Sequence, residues 1–242
     1  MKYYDAGETG GGWGDLKSVT LPAVTGTSNS NDFPNGKTTS FTYTKGFADD
    51  RLNHNLLTIT DGRRNDPNDP TFGQGPYLVN VYAPVTDTND VRFDRVIRQY
   101  RGGDVVDLTY VPIEATPENN LVYMRSILRD RNGNVSEYDY QVSNQLVAER
   151  HYTGRSSTNQ AVTATQNRPT GKLRASDPDY FETRYEYNWN LMPVRVIHPN
   201  GNISETVYES DLNPTNASAR VRNNVRFKRE LPGTHLPAGD QP

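Results

Sequence analysis

The residue types that most often carry chemistry are present in this sequence, but their spacing gives little catalytic signal. Asp61, Asp66 and Asp69 lie close together in the turn-rich stretch DGRRNDPNDP. Clustered carboxylate oxygens are the ligands that calcium prefers, although the D-x-D-x-D-G spacing of an EF-hand loop is missing. Aspartate before proline is also a common turn former. The sequence therefore leaves two interpretations of this loop open, a calcium site and a solvated turn.

Histidines, cysteines and catalytic motifs point away from an enzyme. His54, His151, His198 and His235 are far apart and lack metal-ligand spacing, and the chain has no cysteine for disulfides or thiolate sites. A G-x-S-x-G elbow and a phosphate-binding loop are also missing. A glycosidase needs two carboxylates roughly 5–10 Å apart, and nothing singles out such a pair. We therefore predict a protein that is not an enzyme and has no cofactor, no catalytic residue and, the calcium interpretation of the acidic loop aside, no metal site.

Charge and hydropathy limit the partners that the chain can have. The net charge of −3 gives no reason to expect nucleic acid. The stretch ARVRNNVRFKRE (219–230) is basic and could bind phosphate, but we favour an edge strand whose charges resist sheet-to-sheet association. No segment has the length of a membrane span, and the first residues, MKYYDAGETGGGWGD, lack the apolar core of a signal peptide.

The elements that must position these residues are revealed by an internal repeat, in which a tyrosine follows a glycine by seven residues. Recurrence of this kind is typical of a fold built from repeated supersecondary units. Three of the glycines follow asparagine, and Asn-Gly between alternating segments predicts a type I′ hairpin turn with strands on both sides. The five pairs are Gly36/Tyr43, Gly75/Tyr82, Gly103/Tyr110, Gly133/Tyr140 and Gly201/Tyr208.

The seven-residue spacing also fixes the face of the strand on which each tyrosine lies. Side chains alternate along a strand, so the fifth and seventh residues after each glycine share a face, as Tyr138 and Tyr140 do. Tyr185 and Tyr187 form a degenerate unit in which Tyr180 replaces the glycine. We expect each tyrosine to lie beside its counterpart on a neighbouring hairpin, where such pairs contribute about 0.2–1 kcal/mol.

Composition supports a sheet with little conventional core. Only 33% of the residues are hydrophobic, and the 15 tyrosines outnumber phenylalanine and tryptophan together. We predict a Gly/Ser/Thr/Asn-rich lead-in over 1–34 and a β-hairpin array over 35–210. Loop insertions at 61–76 and 153–172 interrupt the array, and a basic strand with a Pro/Gly-rich tail covers 211–242. No apolar pattern with a helical period is present, so almost no helix is expected.

The stretch YNWNLMPVRVIHPNGN (187–202) resembles the core of an RHS or YD repeat, roughly Y-D-x-x-G-R-L-x-x-V-x-x-P-x-G-N. Tyr187, Val196, Pro199, Gly201 and Asn202 fall on that pattern in register, whereas Asn188 replaces the aspartate. NGNVSEYDY matches the other half of the repeat. The resemblance covers about residues 35–210 and is most specific in the last two units.

The resemblance implies an all-β solenoid of antiparallel β-hairpins, forming a curved sheet or part of a hollow shell. Such shells enclose a toxic polypeptide in bacterial Rhs proteins and the Tc-toxin cocoon, and belong to adhesion receptors in teneurins. We expect a structural segment of a shell wall, secreted or at a bacterial cell surface, that pairs through its sheet edges with further YD repeats or other copies. An enclosed toxin polypeptide and a surface glycan are the further candidate partners. The alternative is an adhesion module that binds a glycan or a protein with exposed tyrosines.

Overall fold

A computed structural model describes residues 1–28, 32–212 and 223–233 of the chain. These residues form fourteen β-strands, two short 3₁₀ helices (Asp50–Leu52 and Pro117–Asn119) and one helical turn, α1 (Glu209–Leu212). The strands are β1 (Lys2–Tyr3), β2 (Leu16–Thr20), β3 (Thr38–Tyr43), β4 (Leu56–Thr60), β5 (Leu78–Tyr82), β6 (Val96–Arg101), β7 (Asp104–Pro112), β8 (Val122–Asp130), β9 (Asn134–Gln141), β10 (Leu146–Arg155), β11 (Tyr180–Tyr187), β12 (Pro193–Ile197), β13 (Ile203–Tyr208) and β14 (Val225–Leu231).

The fourteen strands follow one another in the sheet in the order in which they occur in the chain. The pairs with a described register are antiparallel. Such a sequence of neighbours needs only local connections, which is why Gly-, Asn- and Asp-rich turns suffice to join the strands. The predicted all-β fold of successive antiparallel strands with almost no helix is confirmed for the described residues.

The chain divides into two compact units, Met1–Leu108 and Thr109–Pro242. In the first unit, threonines face each other across neighbouring strands. Thr20 and Thr38 share a hydrogen bond of 2.8 Å, and Thr42 and Thr58 share one of 2.6 Å. These cross-strand hydroxyl pairs stabilise a sheet that has few aliphatic side chains to bury.

The second unit contains a small apolar core on one face of β8 and β9. Ile127 and Val135 are almost completely buried there, together with Val162 from the long connection between β10 and β11. Val111 and Tyr152 pack against this cluster. The connection therefore supplies a core residue, and burying one valine contributes about 1.5–3 kcal/mol.

The segments predicted as lead-in and loops have the following structure. β1 and β2 lie inside the predicted lead-in, 1–34, and residues 61–76 lie between β4 and β5. The predicted loop 153–172 begins within β10, which ends at Arg155, and the next strand starts at Tyr180. Residues 29–31, 213–222 and 234–242, which include part of the predicted tail, lie outside the described residues.

Candidate functional site

The glycines that follow asparagine end a four-residue turn. Gly133 donates its backbone N–H to the carbonyl oxygen of Asp130 at 3.1 Å, and Gly201 donates to His198 at 2.8 Å. Both glycines have positive φ, +82° and +84°, but the asparagines before them do not. The predicted type I′ turn needs positive φ at both positions and is therefore wrong here. A carboxylate explains the difference at Asp130, because its side chain accepts the N–H groups of Asn132 and Asn134 and fixes a different turn.

The Gly102-Gly103 turn is the one repeat position with the geometry of a type I′ hairpin. Gly102 has φ +57° and Gly103 has φ +92°, and the flanking residues Arg101 and Asp104 pair directly. A second glycine removes the side chain that would disfavour positive φ at the first turn position. Sequence reasoning singled out only Gly103.

The remaining repeat glycines lie in longer connections. Gly36 has φ +75°, and a Cβ on it would lie 2.0 Å from the carbonyl oxygen of Leu21, so the two backbones approach closely. Gly75 also has positive φ, +82°, but it has open space around it and precedes β5 by three residues. Gly36 is thus required by both conformation and space, whereas Gly75 is required by conformation alone.

Tyrosines near the ends of five strands face an irregularity in the following strand. Val81 pairs with Arg98 and Tyr82 pairs with Val96, so Ile97 is an extra residue in β6. The same shift of one residue occurs opposite Tyr43, Tyr140, Tyr187 and Tyr208, where the extra residues are Leu57, Val147, Val194 and Arg226. An extra residue of this kind is a β-bulge, which interrupts regular pairing and increases the local twist. These five repeat units therefore end at a tyrosine placed opposite a bulge.

Three of these tyrosines use their hydroxyl groups in the same way. Each is the last residue of its strand, and it donates a hydrogen bond to the carbonyl oxygen of the first residue of the preceding strand. We call this contact the tyrosine latch. The three latches are Tyr82 to Leu56 at 3.2 Å, Tyr187 to Leu146 at 2.7 Å and Tyr208 to Pro193 at 3.2 Å.

At the latches, tyrosine does not lie directly opposite tyrosine. The residues opposite the latched tyrosines on the next strand are Val96, Pro193 and Val225. Asn80 and Tyr82 share a face of β5, as the sequence predicts for the fifth and seventh residues of a repeat. Both donate hydrogen bonds to the carbonyl oxygen of Leu56, Asn80 through Nδ2 at 2.9 Å and Tyr82 through its hydroxyl. The tyrosine rings thus lie along a neighbouring strand and bind its backbone.

Burial favours the neutral, donating form of the latched tyrosines. Loss of solvent raises the pKa of Tyr82, Tyr187 and Tyr208 above the ordinary value, and nearby carboxylates add to this effect at Tyr82 and Tyr208. A phenolate at these positions could not donate to a carbonyl oxygen and would be poorly solvated. The latches therefore require protonated tyrosines.

The other repeat tyrosines are also partly buried. Tyr185 donates its hydroxyl to Glu149 at 2.7 Å, and its pKa is raised because of burial and of that hydrogen bond. The ring of Tyr138 meets the ring of His151 edge-on at 6.2 Å. Tyr43 and Tyr110 lie half-buried in β3 and β7.

Arginine and carboxylate side chains face each other across strand pairs, which sequence reasoning missed. Arg98 donates a hydrogen bond of 2.5 Å to Asp107, which lies opposite it on β7. Arg125 donates two hydrogen bonds, of 2.5 and 2.9 Å, to the carboxylate of Asp139, which lies opposite it on β9. Directly opposite pairs further along are Arg150 with Glu182 and Arg195 with Glu205. Opposite charges at facing positions stabilise a register. The sequence signal for these pairs was an arginine in one strand and a carboxylate in the next.

Glu137 is the most deeply buried charge of the second unit. Its side chain is 0% exposed and forms an ion pair with Arg168, while Tyr152 donates its hydroxyl at 3.2 Å. Arg125 and Arg150 lie 3.5 and 4.0 Å from its second oxygen. A buried carboxylate is tolerated only when cations compensate for its lost hydration, which three arginines do here.

The ion pair ties the long connection between β10 and β11 to the sheet. Arg168 belongs to this connection, and Arg129 of β8 donates to the carbonyl oxygens of Ser157 and Gln160 at 2.8 and 2.7 Å. Together with Val162 in the core, these contacts fold the connection over β8 and β9. The segment that the sequence indicated as a polar insertion is therefore part of the packed structure.

The candidate calcium loop holds its carboxylates apart in separate turns. Asp61 accepts the N–H groups of Arg63 and Arg64, Asp66 accepts that of Asn68, and Asp69 accepts the N–H and hydroxyl of Thr71. Within residues 1–28, 32–212 and 223–233, no three His, Asp or Glu side chains gather as metal ligands would. The turn-forming interpretation accounts for each of these aspartates.

The histidines also lie apart in the structure. His54 contacts Asp15 at 2.8 Å, His151 contacts Ser136 at 2.9 Å, and His198 contacts Ser204 at 2.8 Å. His235 lies outside the described residues. Each described histidine therefore binds a different polar neighbour.

The basic stretch forms the last strand of the sheet order, β14, as far as it is described. Arg226, Lys228 and Arg229 lie on this exposed strand, whereas Arg220 and Arg222 are outside the described residues. Arg229 forms an ion pair with Glu205 of β13. In the described part of the chain, no helix has the length and apolar character needed to cross a membrane.

Comparisons with known proteins return distant structural neighbours. No protein-family model and no curated protein matches the sequence. Among solved structures, the chain is similar to a crystal structure of TcdB2-TccC3, with 12% identity, a TM-score of 0.33 and coverage of 88% of this chain and 8% of that one. A structure of the Photorhabdus luminescens Tc holotoxin pore matches with 15% identity, a TM-score of 0.26 and coverage of 81% and 10%. The chain thus spans about a tenth or less of the chains it matches.

Proposed function

We propose that this chain is a structural segment of an RHS/YD-repeat shell wall, without enzymatic activity, that encloses or presents another polypeptide. The observation that carries the proposal is the tyrosine latch. A tyrosine whose hydroxyl binds a backbone carbonyl and whose ring is shielded holds two strands together and has little surface left for a ligand. The function of such a sheet is steric, since it forms a hydrogen-bonded wall.

The burial of the repeat tyrosines supports a wall over a binding module. A module that stacks sugars or a partner on its tyrosines needs a row of exposed rings. Among the described tyrosines, the exposed ones are Tyr3, Tyr100 and Tyr180, and none of them is a repeat tyrosine. Tyr208 is only 5% exposed. The described repeat tyrosines thus offer the adhesion alternative no row of exposed rings.

The opposed charges support the same proposal. In the described strands, arginine faces carboxylate at Arg98/Asp107, Arg125/Asp139, Arg150/Glu182 and Arg195/Glu205, among other pairs, and such pairs favour one neighbouring strand over another. A wall built by adding strands needs this specification at every step. We place the protein outside the cell or at its surface, with further YD repeats, other copies or an enclosed polypeptide as its partners.

Nitration with tetranitromethane tests whether the tyrosines are structural. The folded chain is treated briefly, and each tyrosine is assayed by peptide mass spectrometry. Tyr3 and Tyr100 are expected to be nitrated at least tenfold faster than Tyr82, Tyr187 and Tyr208. Equal nitration of both groups in the folded protein would favour the binding module.

Protease protection tests the enclosing role. The polypeptide encoded next to this segment in its natural gene is digested alone and in the presence of the chain. Slower digestion of that polypeptide, but not of an unrelated unfolded protein, is expected. Digestion at the same rate in both cases contradicts a wall that shields it.

A further inference from the structure

The latches form a series in which each acceptor is defined by the preceding tyrosine. Leu146 pairs with Tyr140 and accepts the hydroxyl of Tyr187. Pro193 pairs with Tyr187 and accepts the hydroxyl of Tyr208. The residue that pairs with one tyrosine is thus the residue whose carbonyl oxygen binds the next.

Val225 is the next member of this series. It is the first residue of β14 and pairs with Tyr208 across a bulge, as Leu146 and Pro193 pair with their tyrosines. In the described residues no strand follows β14 in the sheet. Val225 and Phe227 are 49% and 44% exposed on it. In position β14 thus corresponds to the first strand of a unit, and a strand ending in tyrosine follows in each earlier unit in which a latch is seen.

Arg229 of β14 occupies a position like that of Arg150 in β10, a strand whose next neighbour, β11, is present. Arg150 lies four residues after Leu146, and its guanidinium reaches back to Asp139 on β9 and forward to Glu182 on β11. Arg229 lies four residues after Val225 and reaches back to Glu205 on β13. Within the described part of the chain, Arg229 has no forward carboxylate.

We propose that β14 accepts one extended strand of another polypeptide, antiparallel to it, in which a carboxylate precedes a tyrosine by five residues. This spacing is that of Glu182 and Tyr187 on β11, the strand that completes the unit of Arg150. The tyrosine hydroxyl binds the carbonyl oxygen of Val225, and the carboxylate binds Arg229. The inference rests on the proposed function and deepens it by naming the chemistry of the partner strand.

Residues 234–242 do not have this chemistry. THLPAGDQP (234–242) contains no tyrosine and has two prolines, which cannot donate to a strand ladder. Edge pairing of this kind derives affinity from main-chain hydrogen bonds and specificity from side chains at alternate positions. Arg226, Lys228 and Arg229 also make the edge basic, which favours an acidic strand over a basic one.

Fluorescence anisotropy with the full chain tests the proposal. The probe is a capped, labelled peptide of residues 180–188, YFETRYEYN, which carries both groups at the required spacing. Saturable binding is expected. The peptide variant Tyr187→Phe should bind about three- to tenfold more weakly because it loses one hydroxyl hydrogen bond, and Glu182→Gln should weaken binding similarly. Tyr185→Phe is the matched control and should bind within twofold of the parent peptide.

The Arg229→Met protein variant identifies the site. With this protein variant, the peptide change Glu182→Gln should lower the affinity by less than twofold, because the Arg229 charge with which Glu182 interacts is already removed. Equal binding of the Tyr187→Phe and parent peptides overturns the proposal, as does the lack of any binding. If the chain self-associates and the peptide does not compete with that self-association, the proposal is overturned in favour of a second copy of the chain on this edge. The proposed wall function survives these failures if the latched tyrosines still resist nitration, so the two ideas fail separately.

Discussion

The hydroxyl of Tyr187, at the end of β11, donates a 2.7 Å hydrogen bond to the carbonyl oxygen of Leu146, at the start of β10. The contact joins the two ends of neighbouring strands that are separated by a long connection. It satisfies the backbone carbonyl of Leu146, which lies beside the bulge at Val147, opposite Tyr140, where regular pairing is interrupted. Each latched tyrosine thus binds the preceding strand beside a bulge.

Removal of a latch hydroxyl should lower stability while the ring continues to pack. Tyr187→Phe and Tyr208→Phe should each reduce the free energy of unfolding by about 0.5–1.5 kcal/mol, since a hydrogen bond is lost and a carbonyl is left unsatisfied. Urea unfolding followed by circular dichroism measures this change. Tyr3→Phe, at an exposed tyrosine, is the control and should change stability by less than about 0.5 kcal/mol. Equal stability of all three variants would contradict the latch.

Substitution of a turn glycine should be costly where both space and conformation require glycine. A Cβ on Gly133 would lie 2.3 Å from the carbonyl oxygen of Ser156, and its φ is +82°. Gly133→Val should therefore destabilise by at least about 1–3 kcal/mol, and Gly201→Val, at φ +84°, by about 1–3 kcal/mol. Thermal melting measures both. Gly171→Ala is the control, because it has open space and no positive φ.

Acid should weaken the second unit through Asp139. Burial disfavours its charge, but hydrogen bonds from Arg125 and Arg150 outweigh burial and lower the pKa of Asp139. Its pKa when folded is thus below its value of about 3.9 when unfolded. The charged form then contributes stability above about pH 4, and this contribution is lost as the pH falls through the folded pKa.

The free energy of unfolding, measured from pH 6 down to pH 2, tests whether acid lowers stability in this way. The wild-type chain should lose stability on acidification, and Asp139→Asn should show a shallower dependence on pH. Asp179→Asn, at an exposed ion pair with Lys172, should retain the wild-type dependence. A steeper slope in Asp139→Asn would show that this carboxyl is not held charged by its arginines.

The buried ion pair should decide whether the connection between β10 and β11 stays on the sheet. Arg168→Met leaves Glu137 with a reduced set of cations and should cost about 3 kcal/mol or less, because Arg125 and Arg150 remain nearby. Trypsin cleavage after Lys172 should become faster. The double variant Arg168→Met/Glu137→Gln should recover part of the loss, and no recovery would contradict the pairing.

The strands and repeat glycines could be predicted from the sequence because their signals are local. Alternating segments between glycines predicted successive antiparallel strands, and the seven-residue spacing put Asn80 and Tyr82 on one face. The turn type could not be predicted, because the Asp130 side chain competes for the backbone N–H groups on which a type I′ turn depends. A local hydrogen bond of this kind changes a turn without changing the strand pattern.

The latches and the packing of the connection between β10 and β11 could not be predicted from the sequence, for a different reason. The acceptor of Tyr187 lies 41 residues earlier in the chain, and backbone carbonyls carry no sequence signal. The bulges depend on register, which one extra residue changes. Likewise, TGRSSTNQAVTATQNRPTGK reads as a polar loop, although Val162 and Arg168 bind it to the sheet. Long-range contacts made by single residues leave no periodicity to detect.

Alkaline titration tests the central claim most directly, that the repeat tyrosines are structural parts of a wall. Burial raises the pKa of Tyr82, Tyr187 and Tyr208 when folded above the value of about 10 for an unfolded chain. The neutral tyrosines thus contribute stability below about pH 10, and it is lost as the pH rises through their folded pKa. Tyrosinate absorbance and circular dichroism are recorded together. We predict that a group of tyrosines ionises late and together with loss of the sheet; titration of all tyrosines near pH 10, with the sheet intact, would contradict the claim.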